Sequence, residues 1–321
     1  MEWSGSLHSK SVGPGLLGQL DADAEPGLAS SCYLCHAPAV EQSEVLESGA
    51  GFDKNPAFDR RFKESGVSCA VCHVRMGTVY GPGGSATASS SHDKGRAPLH
   101  GESRGFFKRA EFCAVCHQMD GGYRLNGKVL TNTYREWKES AYGRNGVTCQ
   151  VCHMPEGRHL FRGIHDPAMV KDAVRIEVYG GKTSARIKLT NSGAGHYFPT
   201  YVTPLVVVRG FVVDKEGLKK DLTEREAYIG RGVTLDLTRE LFDTRIPPGK
   251  SFVYDYTPPE ATAVGDGDRI VFEVWVYPDR FYRDFFLESL KGGNFTSMSE
   301  MEQALAAAEG SPYLLYREEV R

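Results

Sequence analysis

All eight cysteines of this 321-residue chain fall into four C-x-x-C-H motifs. The cysteines are Cys32 and Cys35, Cys69 and Cys72, Cys113 and Cys116, and Cys149 and Cys152; the histidines that close the motifs are His36, His73, His117 and His153. C-x-x-C-H is the attachment signature for c-type haem. The two thiols bond the haem vinyl groups, and the adjacent histidine is forced beneath the ring as an axial iron ligand. Zinc half-sites or a disulfide framework would leave a histidine after every second cysteine unexplained. Four covalently bound haem c groups are therefore expected, with these eight thioether cysteines and four proximal histidines.

This demand shapes the first half of the chain. The motifs begin 37, 44 and 36 residues apart. At that density the porphyrins themselves would supply the apolar core, and helices should be short, several of them carrying a motif. Residues 81–105, with Gly81-Pro82-Gly83-Gly84, are rich in Gly, Ser and Pro and are expected to form a loop.

No cysteine follows residue 153, and the pattern changes. Val174–Tyr179, Ala185–Thr190 and Val271–Val276 alternate with the period of a half-buried strand. Leu205–Val213 is more continuously apolar, as in a strand buried on both faces. Phe252–Tyr256 follows a Pro247-Pro248-Gly249 turn. Short strands between turn signals suggest a small immunoglobulin-like β-sandwich. Arg280–Lys291 and Ser299–Glu309 have the character of helices, the second with Ser299 as N-cap and Gly310 as C-cap. The expected class is α+β: a tetrahaem domain over 1–170, a β-sandwich over 171–280 and a C-terminal helical segment over 281–321. The aromatic run Phe281-Tyr282-Arg283-Asp284-Phe285-Phe286 suits a helix core better than an interface.

A net charge of −3 argues against a nucleic-acid partner, which would require a basic face. No run of 18 apolar residues is present to span a membrane. The start, Met1-Glu2-Trp3-Ser4, has neither the basic region nor the apolar stretch of a secretory leader. Covalent haem attachment takes place outside the cytoplasmic membrane in prokaryotes. The expectation is a mature or truncated form of an exported protein, extracellular or at the cell surface, with the periplasm as the alternative.

Ten histidines less four in the motifs leave six for the sixth iron positions: His8, His92, His100, His159, His165 and His196. That is enough to make every haem bis-histidine, a closed coordination suited to electron transfer at low potential. His8 lies in Trp-x-x-Ser-x-His, and His196 lies in a glycine-rich stretch, Gly193-Ala194-Gly195-His196, that would let the backbone approach a haem closely. Of His159 and His165, just after the last motif, His165 is favoured, with Asp166 as a nearby acceptor. Of His92 and His100, His100 is favoured. His92 and His159 remain the secondary candidates. Met119 and Met154 sit too near a proximal histidine in sequence to serve the same iron.

Two internal echoes accompany the motifs. Glu2-Trp3-Ser4-Gly5-Ser6-Leu7-His8 matches Glu136-Trp137-Lys138-Glu139-Ser140-Ala141-Tyr142, and Gly66-Val67-Ser68-Cys69 matches Gly146-Val147-Thr148-Cys149. Together with Glu111-Phe112-Cys113, Cys152-His153-Met154-Pro155 and Gly195-His196-x-Phe198-Pro199-Thr200, these resemble multihaem c-type cytochromes with a C-terminal β-domain. Four haems and this length are similar to the extracellular tetrahaem filament cytochromes of the OmcE type. That resemblance implies stacked haems and a filament of copies of this chain, in which one haem is completed by a histidine of the neighbouring subunit. His8, on an N-terminal arm, and His196, on the separate domain, would be the natural donors. Tyr142 departs from the pattern, because it stands where the second repeat would place its histidine.

Electron transfer by hopping between haems is thus the leading expectation, in a filament or as a discrete periplasmic carrier exchanging with redox-partner cytochromes. The minority alternative is a nitrite- or hydroxylamine-type oxidoreductase. It would need one open iron, with Tyr142, Arg144, His92 or His159 around it.

Overall fold

The structure is a computed structural model. It describes residues 2–23, 26–49, 51–75, 78–81, 102–103, 105–260, 262, 264–292 and 298–320. Two compact units interleave along the chain. One comprises Met1–Cys116, Val147–Phe161 and Phe295–Met301; the other comprises His117–Gly146, Arg162–Asn294 and Glu302–Arg321.

The second unit holds a β-sandwich. Among the described residues its strands are β1 (Val174–Gly180), β2 (Ala185–Asn191), β3 (Leu205–Val213), β4 (Arg225–Val233), β5 (Glu240–Asp243), β6 (Ser251–Tyr256), β7 (Arg269–Tyr277) and β8 (Tyr313–Val320). One sheet runs β6-β2-β1 and the other β5-β4-β3-β7-β8, antiparallel throughout. β3 lies at the centre of the larger sheet, with Val208 opposite Val274 and Ala227. Its continuous apolar run is buried on both faces, as a central strand requires. Ile187 and Leu189 of β2 meet Val206, Val208, Ile229, Phe272 and Val274 in one core. Gly210 faces the Tyr256 ring, and a Cβ there would lie 2.6 Å from Tyr256 Cδ2.

The expected strands are all present, and the mixed α+β class holds. The C-terminal segment carries the two expected helices and one strand more. The two helices, Arg280–Gly292 and Met298–Gly310, are followed by β8, which pairs with β7. A bulge explains why this strand lacks a period-two signal. Val274 is opposite Tyr316 and Trp275 is opposite Leu314, so Leu315 is the extra residue and the inward pattern slips there. Phe286 is buried, and Phe281 packs with Leu125, Leu130 and Val233, so the aromatic run serves a core.

The first unit is built differently. A small apolar cluster forms from Val12, Tyr33 and Ala37, with Leu16, Leu17 and Leu20 packed against it. Buried amides tie the loops that follow. Gln42 Nε2 donates to the carbonyls of Phe62 at 2.9 Å and Gly66 at 2.8 Å. Asn55 Nδ2 donates to Val40 O at 2.6 Å and Ser43 O at 2.7 Å. Among the described residues no helix is long and apolar enough to cross a membrane.

Candidate haem-binding sites

Each C-x-x-C-H ends a helix: Pro26–His36, Cys69–His73, Glu111–His117 and Cys149–His153. Helical backbone places the two thiols, three residues apart, on one face, and the next residue carries the histidine. The second and fourth motifs are entered alike. Gly66 and Gly146 have φ of +57° and +72°, and Ser68 and Thr148 precede the helix with extended backbone. This is the structural form of the Gly-Val-Ser/Thr-Cys echo. At Gly66 the space is also closed, since a Cβ would lie 2.5 Å from Ser11 Oγ and 2.7 Å from His8 O. Gly66→Ala is therefore expected to cost about 1–3 kcal/mol in chemical denaturation. Gly146→Ala, with nothing within 4 Å, should cost less. Equal losses would show that the closed space is not what matters.

Two of the motif histidines are held in one tautomer by backbone carbonyls. His36 Nδ1 donates to Ser11 O at 2.9 Å, and His73 Nδ1 donates to Tyr80 O at 2.7 Å. A carbonyl only accepts, so the proton sits on Nδ1 and Nε2 is the nitrogen that could ligate a metal. His117 Nδ1 bonds the Tyr201 hydroxyl. Tyr201 carries no sequence signal for this contact, since 84 residues separate the pair.

The thiols of the four motifs are close together within the first unit. Cys35 shares a hydrogen bond with Cys116, and Cys113 shares one with Cys149. These bonds push the Cys116 and Cys113 thiols up, with burial adding to the effect. Cys72 is near enough to act electrostatically on both Cys113 and Cys116.

The remaining histidines separate into groups. The His159 and His73 ring centroids are 5.9 Å apart. Two imidazoles on one metal, with bonds of about 2 Å each, have a centroid separation of roughly 6 Å once the ring half-widths are added. His8 is half-buried, packs on Phe161 at a 4.3 Å centroid distance, and lies within electrostatic reach of His153. Burial pushes the pKa of His8, His159 and His196 down; His153 adds to this at His8, and His73 at His159. The neutral imidazole thus favoured is the metal-binding form. His196 Nδ1 donates to Tyr197 O at 2.9 Å, so its Nε2 is also the nitrogen for a metal.

His165, the sequence favourite after the last motif, is placed differently. Its Nε2 meets Asp279 Oδ2 at 2.9 Å. Asp166 is used as a helix cap and accepts from the backbone N–H groups of Ala168 and Met169. The N-terminal arm is tied down: Trp3 Nε1 donates to Val67 O at 2.8 Å, and Val67 N donates to His8 O at 2.9 Å. Tyr142 donates to Ser192 O at 2.7 Å and Arg144 to Glu139 O at 2.5 Å, so both groups weighed for an open iron bind backbone carbonyls. His92 and His100 lie outside the described residues.

The donor set fits haem c: adjacent thiols on one helical face, a histidine with Nε2 directed by its Nδ1 bond, and a second imidazole at the spacing of a shared metal. The chain is similar to a penta-heme cytochrome c552 from Thermochromatium tepidum, with a TM-score of 0.63 and 19% identity, covering 99% of this chain and 94% of that one. This is a multihaem c-type cytochrome fold. At that identity the likeness carries the fold alone. No protein-family model matches the chain, and no curated protein does. The multihaem cytochrome fold thus spans nearly the whole chain, sandwich included.

Proposed function

We infer that the chain is a tetrahaem c-type cytochrome that carries electrons by hopping between haems. The observation that carries this is the convergence of four C-x-x-C-H helix ends, with a thiol of the first, second and fourth motifs close to those of the third. Cys32 and Cys35, Cys69 and Cys72, Cys113 and Cys116, and Cys149 and Cys152 would hold the four groups. His36, His73, His117 and His153 would ligate from one side. His159 would complete the iron of His73, His8 that of His153, and His196 a third. The cofactor supplies reversible one-electron chemistry. The chain's own residues fix imidazole orientation through carbonyl bonds, hold spacing and keep water away.

Such a protein is exported, since haem c is attached outside the cytoplasm. Assembly of copies into an extracellular filament is the finer form of this reading. It is supported by the resemblance of the motifs to the filament cytochromes. His8, beside His153 of its own chain, is then an internal ligand, and a crossing histidine would be another of the six.

Negative-stain electron microscopy of native haem-loaded protein should show regular filaments a few nanometres wide. Discrete particles would replace the filament by a soluble carrier that exchanges electrons with partner cytochromes. Carbon monoxide added to the reduced protein should leave the spectrum almost unchanged. Stoichiometric binding to one haem would replace the carrier by an oxidoreductase with an open iron.

A further inference from the structure

The Glu-Trp-x-x-Ser echo recurs as geometry. Ser6 Oγ donates to Trp3 O at 2.7 Å, and Ser140 Oγ donates to Trp137 O at 2.6 Å. The backbone N–H groups of the same serines reach the same carbonyls at 2.9 Å in both copies. Both serines are buried. A closed turn of this kind presents the preceding glutamate in a fixed direction.

The two glutamates then do the same thing. Glu2 Oε1 accepts from Arg158 Nε at 2.6 Å, and Glu2 Oε2 accepts from the backbone N–H of His159 at 2.9 Å. Glu136 Oε1 accepts from Arg245 Nη1 at 3.1 Å. Glu136 Oε2 accepts from the backbone N–H of Tyr197 at 3.1 Å and from Thr200 Oγ1 at 2.9 Å. Each carboxylate gives one oxygen to an arginine and the other to a backbone N–H at a histidine loop. In the second copy the backbone of Tyr197 is held at both its N–H and its carbonyl. Glu136 takes the Tyr197 N–H, while His196 Nδ1 donates to the Tyr197 carbonyl at 2.9 Å. Charge-assisted bonds of this type are about twice as strong as neutral ones.

We propose that Glu2 and Glu136 are positioning residues for two sixth-position iron ligands, Glu2 for His159 and Glu136 for His196. The repeat is a clamp, used once in each compact unit, that fixes a histidine by its backbone. It rests on the haem reading above. The missing histidine of the second copy follows from it. Tyr142, standing where the first copy has His8, binds Ser192 O in the loop that delivers His196, and its ring packs on Gly195, where a Cβ would lie 3.1 Å from Tyr142 Cβ. The second copy thus supports a histidine from a distant loop rather than carrying one itself.

Glu136→Ala would also strip the buried Arg245 of a partner, so the exposed Glu2 gives the decisive test. Haem-loaded Glu2→Ala and Glu2→Gln are compared with the native protein by electron paramagnetic resonance and by spectroelectrochemical titration. Haem content per chain is measured on all three. The expected result in Glu2→Ala is a shift of one haem's low-spin signal and of its potential, with haem content and the other haems unchanged. Glu2→Gln keeps an oxygen for the His159 N–H and should restore both. An unchanged Glu2→Ala overturns the proposal. A shift that glutamine fails to restore also overturns it, since the Arg158 charge pair would then be the cause. Reduced haem content in Glu2→Ala overturns it in favour of a role in attachment. Native protein without haem would instead sink the haem reading, so the two failures are distinguishable.

Discussion

On the tetrahaem reading, replacing Cys149 and Cys152 together by alanine should remove one haem per chain. The pyridine haemochrome assay should fall from four per chain in the native protein to three. On the haem reading the thiols would be the covalent anchors, and His153 alone would offer a single axial bond. The fourth motif suits the experiment because its histidine has an identified neighbour. Without the thioethers His153 and His8 could still bind a haem, but reversibly, and denaturation would release it. The double variant should therefore show three haems after acid–acetone extraction. Four retained haems would refute the attachment assignment. A native count other than four would refute the correspondence between motifs and cofactors.

The second large effect lies in the sandwich unit. Arg231 of β4 is buried along its whole side chain. Its Nε donates to Glu240 Oε2 at 2.8 Å, and its Nη1 donates to Val129 O at 2.8 Å. Nη2 reaches Leu125 O at 3.1 Å and Lys128 O at 3.3 Å. One guanidinium thus satisfies the inward carbonyls of the hairpin formed by Arg124–Leu125 and Lys128–Val129. Arg231→Ala removes every donor and leaves those acceptors dry. Removing one partner of a buried pair typically costs about 3–5 kcal/mol. For a unit of this size that is a fall in Tm of roughly 6–20 °C. Thermal unfolding followed by circular dichroism checks it, and a loss below about 1 kcal/mol would show that water replaces the guanidinium at no great cost.

The helix ends that carry the motifs were legible because C-x-x-C-H fixes residue type and spacing together, as thioether attachment would require. Strands β1, β2 and β7 were legible because one face is buried and alternation survives. β4 was not: Arg-Glu-Ala-Tyr-Ile-Gly-Arg-Gly-Val puts a charge at a buried position and glycines where neighbours press close. Gly232 faces Phe242, whose Cε1 would be 2.3 Å from a Cβ. β8 escaped because its bulge at Leu315 shifts the alternation midway. The different placements of His159, beside His73, and His165, beside Asp279, depend on a local turn that sequence does not announce. Between them Phe161 has φ of +46°, a left-handed backbone that no propensity assigns to phenylalanine. The echo of Glu-Trp-x-x-Ser was visible from the start, but its glutamates act on loops 157 and 61 residues away, a reach only folding supplies.

The neighbours of the third motif bear on how charge would cross the molecule. Cys116 meets Cys35, Cys113 meets Cys149, and Cys72 is close to both central thiols. The cofactors would then be connected as a star with the third at its hub, and not as a queue in sequence order. In a queue every break is equally fatal, and throughput is set by the widest gap. In a star the tips are interchangeable as entrances and exits, and only the hub is indispensable. Such a molecule would work as a junction box, accepting charge from one neighbour and dividing it between two.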